Sequence, residues 1–272
     1  MTLALGRICT GGLIIAADTK MTWDDGSTYD AIKVKSEVTD NGVYVIASSS
    51  VDGNAADTVV SQLMLDLRRI DPKSLIGVEQ TVKAALTDWY SAFRGNPLVQ
   101  LLVGVFIPPN PAFSNRHGLR LYFCEPPNTI ARKMPSDSSR GYIAVGAGLK
   151  IADPLFKILF DSPVSPRICL GQISYLMYRA KKDCGAYCGG QIDAVFLKET
   201  HAEPTWIKRL DMACAESFGP HLDKALGRTA SAVISETEGA DTKAVLDLAS
   251  DISFQGLAYR RLQFHSRAGE EI

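Results

Sequence analysis

The sequence lacks several features that mark common protein classes. No run of about 18 apolar residues occurs among its 272 residues, so we expect no membrane-spanning helix. With 29 basic and 30 acidic residues, the net charge at pH 7 is -1, which supplies no cationic surface for nucleic acid or anionic lipid. We therefore expect neither a nucleic-acid partner nor a membrane partner.

Cysteine and histidine are scarce and poorly placed for disulfide or metal sites. The six cysteines are scattered, unlike the dense disulfide framework of a small secreted protein. Cys184 and Cys188 are the only close pair in the sequence, and no histidine lies near them to complete a metal site. The chain does not open with a charged segment followed by a long apolar stretch, so we predict no signal peptide and a cytoplasmic location. No motif implies a metal or organic cofactor.

The hydrophobic pattern begins with a hairpin. Residues Thr2–Cys9 and Leu13–Ala17 are predicted strands, and Thr10-Gly11-Gly12 supplies the turn between them. Further strands are predicted at 31–38, 43–47, 98–107, 119–124, 141–145 and 191–197, with a polar loop at 126–140. Helices are predicted at 52–70, 78–93, 150–160 and 167–182, with helical stretches near 210–226 and 242–257.

This order of elements departs from a regular alternation of strand and helix. It suits two antiparallel sheets sandwiched between helix layers, which makes the chain α+β. No linker clearly divides the sequence. We predict a main domain at 1–205 and a C-terminal extension at 206–272 that packs on this domain or links it.

The pair Met1-Thr2 has a chemical consequence at the N-terminus. Aminopeptidases remove an initial methionine when the next residue is small, which would expose Thr2. An N-terminal threonine carries a hydroxyl and an α-amine whose unperturbed pKa is about 7.7–8.0. Nucleophile and base then lie on one residue, so catalysis needs no Ser-His-Asp motif. The sequence has four histidines and no obvious motif of that kind. Two residues alone are a weak signal.

Several motifs in a consistent order strengthen this interpretation. The hairpin ends in Ala16-Ala17-Asp18-Thr19-Lys20, then come Ile32-Lys33-Val34-Lys35 and Ala47-Ser48-Ser49-Ser50-Val51-Asp52. Later segments are Gly146-Ala147-Gly148, Asp183 and Cys188-Gly189-Gly190-Gln191-Ile192-Asp193. Over roughly residues 2–200, this succession resembles the proteasome β-subunit family and its bacterial relatives, which are N-terminal-nucleophile (Ntn) hydrolases.

The resemblance implies a four-layer αββα sandwich, the Ntn hydrolase fold, and a threonine-type peptidase. Thr2 would attack a peptide or amide carbonyl and form an acyl ester that water hydrolyses. A nearby lysine would lower the pKa of the amine or hydroxyl, and Asp18 would hold that lysine. The backbone N–H of Ser48 would stabilise the oxyanion, and Asp183 matches a further aspartate of the family's site.

Two lysines compete for the role beside Thr2. Gapless counting from Thr2 places the family's lysine at Val34, so one slip is needed. Lys33 and Lys35 are two residues apart and would face the same side of a strand. We favour Lys33, because an apolar residue follows it as in the family. The alternative is that both lysines are exposed on an edge strand.

Two departures from the family pattern keep other hypotheses open. Ala147 stands where the family has a serine between two glycines, and Cys188 replaces a second serine. The spacing from Asp183 to Cys188 is also two residues longer than in the family. Those serines tune the protonation of the N-terminal amine in the family. The second hypothesis is therefore a non-catalytic, proteasome-like structural or binding subunit, and the third is an amidase for small molecules.

The resemblance also implies partners. Family members usually enclose their sites within rings or barrels, which restricts access to unfolded chains. We therefore expect a homo-oligomeric ring, a peptide or unfolded-protein substrate, and an ATP-dependent unfoldase as a partner.

Overall fold

The computed structural model describes residues 3–22, 25–40, 42–70, 74–92, 99–109, 118–126, 129–130, 132–134, 141–159, 164–199 and 203–224. These ranges contain five helices of at least eight residues and twelve strands. All the strand pairs within them are antiparallel, and the strands form two five-stranded sheets and one two-stranded hairpin. The chain is therefore α+β.

Each of the larger sheets collects strands from distant parts of the sequence. The first sheet has the order β10-β1-β2-β11-β12 and consists of β1 (Leu3–Cys9), β2 (Gly12–Asp18), β10 (Tyr142–Gly146), β11 (Ile192–Lys198) and β12 (Thr205–Ile207). The second sheet runs in sequence order through β5 (Val34–Thr39), β6 (Gly42–Ser50), β7 (Val99–Ile107), β8 (Gly118–Cys124) and β9 (Arg132–Met134). The small hairpin pairs β3 (Lys20–Thr22) with β4 (Thr28–Asp30). The helices are α1 (Gly53–Arg68), α2 (Leu75–Ala92), α3 (Leu149–Leu159), α4 (Pro166–Asp183) and α5 (Arg209–Glu216).

The first hairpin fixes which residues lie side by side where β1 begins and β2 ends. Its turn includes Gly11 at φ +75°, a conformation that glycine adopts without a Cβ clash. In the antiparallel register, Ala4 of β1 lies opposite Ala17 of β2. The last residue of β2, Asp18, therefore lies beside the first described residue of β1, Leu3.

Side-chain caps fix where two of the helices begin. Asp52 accepts hydrogen bonds from the N–H groups of Asn54 and Ala55, so it is the N-cap of α1. Ser165 caps α4 in the same way, and Pro166 occupies the first turn, where its missing N–H costs nothing.

Three clusters of buried apolar side chains connect the sheets and helices. One joins the two large sheets, and Gly104 permits their close approach, because a Cβ there would lie 2.7 Å from Ile15 Cδ1. A second joins the first sheet to α3, α4 and α5, and a third joins the second sheet to α1 and α2. This distribution is compatible with a sandwich.

Residues 205–224 belong to the first sheet and its core. β12 pairs with β11, and α5 packs against α4. Beyond α5, Asp223 accepts hydrogen bonds of 2.7–3.4 Å from four side chains of α4, namely Tyr175, Tyr178, Arg179 and Lys182. Residues 225–272 lie outside the described ranges, so the division of the chain at residue 205 stays a prediction.

The predicted elements within the described ranges are largely confirmed, with four differences. One is β12 at Thr205–Ile207, a strand that was not predicted. The strand predicted at 31–38 begins only at Val34, and the short hairpin of β3 and β4 precedes it. β9 lies within a segment predicted as loop, and the helix predicted at 210–226 is interrupted at residues 217–218. The helical stretch predicted near 242–257 lies outside the described residues. Of the described helices, none has the length and apolar character needed to cross a membrane.

Candidate functional site

The candidate site lies at the start of β1, where the end of β2 meets it. Leu3 is buried, and its N–H donates to Asp18 Oδ1 over 2.9 Å. Thr2 precedes it but lies outside the described residues. The register of the first hairpin thus brings one of the predicted site residues, Asp18, to the residue that follows the predicted nucleophile.

Asp18 is a buried carboxylate, only 1% exposed, that accepts hydrogen bonds from three donors in the part of the chain that the structure describes. Besides the Leu3 N–H, it accepts a hydrogen bond from Lys33 Nζ at 3.3 Å and one from the Gly189 N–H at 2.9 Å. A charge buried without partners would be strongly destabilising, so these donors are what makes this position tolerable. Asp18 therefore links β1, the segment before β5, and the loop before β11.

Lys33 supplies the positive charge of the site. The residue is 6% exposed, and its ammonium donates to the Lys20 carbonyl as well as to Asp18. Burial lowers the pKa of Lys33 below its usual value, while the nearby Asp18 carboxylate opposes that shift. The result is a cation in a poorly solvated place, where its field acts over a short distance with little screening.

Lys35, the alternative lysine, lies elsewhere. Its side chain is 34% exposed and its ammonium pairs with Asp57 of α1 at 2.8 Å. The expectation that both lysines share one face of a strand is wrong, because β5 begins at Val34 and Lys33 lies just before it. The structure brings Lys33 to Asp18 and directs Lys35 to the helix.

Ser48 lies next to Lys33 through the backbone. Its N–H, the predicted oxyanion donor, donates to the Lys33 carbonyl over 3.1 Å. That N–H must leave this partner before it can bind an oxyanion. Because N–H directions alternate along a strand, Ser50 is the next residue of β6 whose N–H points to the same side.

Asp183 lies at the C-terminal end of α4. Its carboxylate accepts two hydrogen bonds from the Arg179 guanidinium one turn earlier, at 2.9 and 3.0 Å. Asp183 thus pairs with a residue of its own helix, and it shares none of the partners of Asp18 given above. A catalytic role for Asp183 stays a prediction that these contacts do not favour.

Backbone groups that were not predicted from the sequence complete the site. They are the N–H groups of Leu3 and Gly189 and the carbonyl of Lys20. The signal for one of them was present in Cys188-Gly189-Gly190, since a Cβ at Gly189 would lie 2.7 Å from Lys20 Cδ. A glycine here lets the loop approach β3 without displacing the Lys20 side chain, so that its N–H reaches Asp18.

The thiol of Cys188 and the turn at residues 146–148 close the site from the other side. A Cβ at Gly148 would lie 2.8 Å from Leu3 Cβ and 3.2 Å from Cys188 Sγ, so these groups are in close contact. Burial raises the pKa of Cys188 to about 12, with the Asp18 charge adding to the shift. Cys188 is therefore a neutral thiol near pH 7 and is unsuited to act as a nucleophile.

Thiol labelling tests this environment. At pH 8 we expect iodoacetamide to modify the exposed Cys214 at least about 100-fold faster than Cys188, because only the thiolate reacts and Cys188 is buried. Peptide mass spectrometry over a time course measures both rates in one sample. Similar rates at the two cysteines would contradict the buried, neutral thiol.

Comparisons with known proteins give a structural likeness alone. No family model and no curated protein matches the chain. Among solved structures, a Gly-1 mutant of Anbu from Hyphomicrobium sp. strain MC1 matches with a TM-score of 0.69 and 17% identity, covering 89% of this chain and all of that one. Anbu (ancestral beta-subunit) from Yersinia bercovieri matches with a TM-score of 0.64 and 13% identity, covering 88% of this chain and 99% of that one. A structure described as a helical assembly of the Anbu complex from Pseudomonas aeruginosa matches with a TM-score of 0.67 and 12% identity, covering 89% of this chain and 99% of that one.

These matches correct the family assignment made from the sequence. The resemblance to proteasome β-subunits is wrong as an assignment, because the matching structures are Anbu proteins, which are proteasome-like but form a distinct family. At 12–17% identity the likeness shows the fold only. The chain therefore shares the fold of these Anbu structures.

Proposed function

We propose that the protein is a threonine-type N-terminal-nucleophile hydrolase that cleaves peptide or amide bonds through an acyl ester on Thr2 after removal of Met1. One observation carries the proposal, the buried Asp18–Lys33 ion pair hydrogen-bonded to the Leu3 N–H. A buried ion pair is a weak device for stability, so its place at the chain start is better explained by function.

Covalent geometry links this ion pair to the proposed nucleophile. The Cα of Thr2 is two bonds from the Leu3 nitrogen, and that nitrogen is 2.9 Å from Asp18 Oδ1. The same Oδ1 is 3.3 Å from Lys33 Nζ. A cation this close favours deprotonated forms of neighbouring groups, so Lys33 would lower the pKa of the Thr2 hydroxyl and amine.

The reaction then follows from the groups of one residue. The α-amine takes the hydroxyl proton as the oxygen attacks the substrate carbonyl, and backbone N–H groups stabilise the tetrahedral oxyanion. The resulting ammonium protonates the departing amine, which leaves an ester on Thr2. The amine next takes a proton from water as the hydroxide attacks the ester. The ammonium then returns that proton to the Thr2 oxygen as the acid product leaves.

The arrangement of the chain and its partners are part of the proposal. The clusters that join helices to each large sheet, and the sheets to each other, support a four-layer αββα order. The Pseudomonas aeruginosa structure is described as a helical assembly, which supports self-association of this chain into a homo-oligomer. Peptides or unfolded proteins are the proposed substrates, in the cytoplasm, with an ATP-dependent unfoldase as the proposed partner.

Covalent labelling tests the proposed function directly. A peptide epoxyketone, which can capture a hydroxyl and an amine of one residue together, is expected to add one equivalent of mass to the chain that begins at Thr2. Thr2→Ser is expected to label, since it keeps both groups, and Thr2→Ala is expected not to label. Intact-mass spectrometry and N-terminal sequencing read the adduct and the loss of Met1.

A negative result would favour a second function. If Met1 is retained, or if wild type and Thr2→Ala both stay unlabelled, the hydrolase proposal fails. A non-catalytic, proteasome-like assembly subunit then fits better. Two observations favour that alternative, the Ser48 N–H already bonded to the Lys33 carbonyl and the neutral Cys188 in place of a hydroxyl.

A further inference from the structure

Gln100 of β7 connects the two large sheets beside the candidate site. Its Oε1 accepts a hydrogen bond from the Gly146 N–H at 3.2 Å, at the end of β10 in the first sheet. Its Nε2 donates to Glu125 Oε2 at 3.0 Å, just beyond β8 in the second sheet. The amide therefore spans from one sheet to the other.

The chemistry of the two partners fixes the orientation of this amide. The Gly146 N–H can only donate, so it requires the amide oxygen. The Glu125 carboxylate accepts, so it requires the amide nitrogen. With both ends satisfied at once, Gln100 has one orientation, and Glu125 holds it through a charge-assisted hydrogen bond.

The turn that Gln100 holds lies against the start of β1. Gly146 has φ +94°, a conformation that favours glycine, and the turn continues to Gly148. Gly148 lies so close to Leu3 and Cys188 that no side chain fits between them. A shift of this turn would move Leu3, whose N–H is bonded to Asp18.

We propose that Gln100 and Glu125 are positioning residues, which fix the turn at residues 146–148 against Leu3 and so hold the start of β1 at the Asp18–Lys33 pair. The inference rests on the proposed function for its catalytic meaning. Gln100 acts through the backbone of Gly146, to which it is hydrogen-bonded. Its effect is on the geometry of the start of β1.

A reversal of the two side chains tests the inference. Gln100→Glu places two carboxylates at hydrogen-bond distance, which breaks the link to Glu125. The double variant Gln100→Glu/Glu125→Gln restores an amide–carboxylate pair, because the new amide at position 125 can donate while the new carboxylate at position 100 accepts from the Gly146 N–H. The matched control is Gln62→Glu, which sets the same two carboxylates together on the exposed surface of α1, where Gln62 Nε2 donates to Asp66 at 3.0 Å.

The first readout is the rate of Thr2 labelling by the epoxyketone as a function of pH. At pH 7.5 we expect Gln100→Glu to label about tenfold more slowly than wild type and the double variant to recover to within about twofold, with the control unchanged. Repulsion raises the pKa of one carboxylate of the pair, so the ratio of variant to wild-type rate is expected to rise toward one as the pH falls toward 5.

The second readout does not need a reactive Thr2. Hydrogen exchange by mass spectrometry is expected to show faster exchange in peptides covering residues 3–9 and 142–148 of Gln100→Glu, and wild-type exchange in the double variant. If wild type is unlabelled but this exchange pattern is found, the proposed function fails and the positioning inference stands. Unchanged exchange in Gln100→Glu, or no recovery in the double variant, overturns the inference.

Discussion

Replacement of Asp18 with alanine is expected to lower the free energy of unfolding by about 3–5 kcal/mol and to abolish labelling of Thr2. The change leaves the Lys33 ammonium buried beside an alanine, and it removes the acceptor of the Leu3 and Gly189 N–H groups. Urea unfolding followed by circular dichroism measures the loss of unfolding free energy. The comparison holds when the slope of this free energy against urea concentration is the same in variant and wild type.

Asp57→Ala is the matched control for this experiment. Asp57 also pairs with a lysine, but its side chain is 66% exposed, and we expect a change within about 0.5 kcal/mol. If Asp18→Ala fails to fold, Asp18→Asn keeps the shape while removing the charge, and it is expected to fold and stay unlabelled. If Asp18→Ala lowers the free energy of unfolding no more than Asp57→Ala does, the buried ion pair is not formed.

Lys33→Met is expected to slow Thr2 labelling by about 10²–10³-fold, and Lys35→Met is expected to change it less than about twofold. The physical reason is the position of each ammonium, since that of Lys33 lies 3.3 Å from Asp18 and that of Lys35 lies 2.8 Å from Asp57 on α1. Pseudo-first-order labelling rates, measured by intact mass, compare the two variants. Equal effects of the two substitutions would show that neither lysine has the assigned role.

The same experiment has a pH dependence with a definite sign. Burial lowers the pKa of Lys33, so its charge is lost as the pH rises through a value below 10.5. The wild-type labelling rate should therefore fall on the alkaline side before an ordinary lysine would titrate. Lys33→Met, which has no charge there to lose, should lack this alkaline decline.

The first hairpin and the main helices could be predicted from the sequence because their signals are local. Alternating or continuous apolar runs on either side of Thr10-Gly11 indicate paired strands, and helical spacing after a capping residue such as Asp52 indicates α1. The hairpin of β3 and β4 gave no such signal, since each strand has three residues and β4 has no buried residue. Strands this short depend on tertiary contacts rather than on pattern.

The choice between Lys33 and Lys35 shows why the site could be predicted only in part. A period of two assigns both side chains to one face, so the pattern cannot separate them. The choice depends on where β5 begins, and that is set by the preceding hairpin, which the sequence did not show. A role for Asp183 also stays a prediction: the family resemblance suggested it, and in the structure the last turn of α4 gives it Arg179 as a partner.

The contacts of Asp223 bear on how the polypeptide can be shortened for experiments. Four polar side chains along α4 converge on this single carboxylate, and two of them, Arg179 and Lys182, are cationic. A chain that stops at residue 205 would lose Asp223, which would leave Lys182 without this anion and Arg179 with Asp183 as its remaining partner of the two. It would also lose α5 and expose the apolar side chains that α5 covers. A stop codon placed after residue 224 keeps the neutralising group, and is the better choice for a minimal version of the protein.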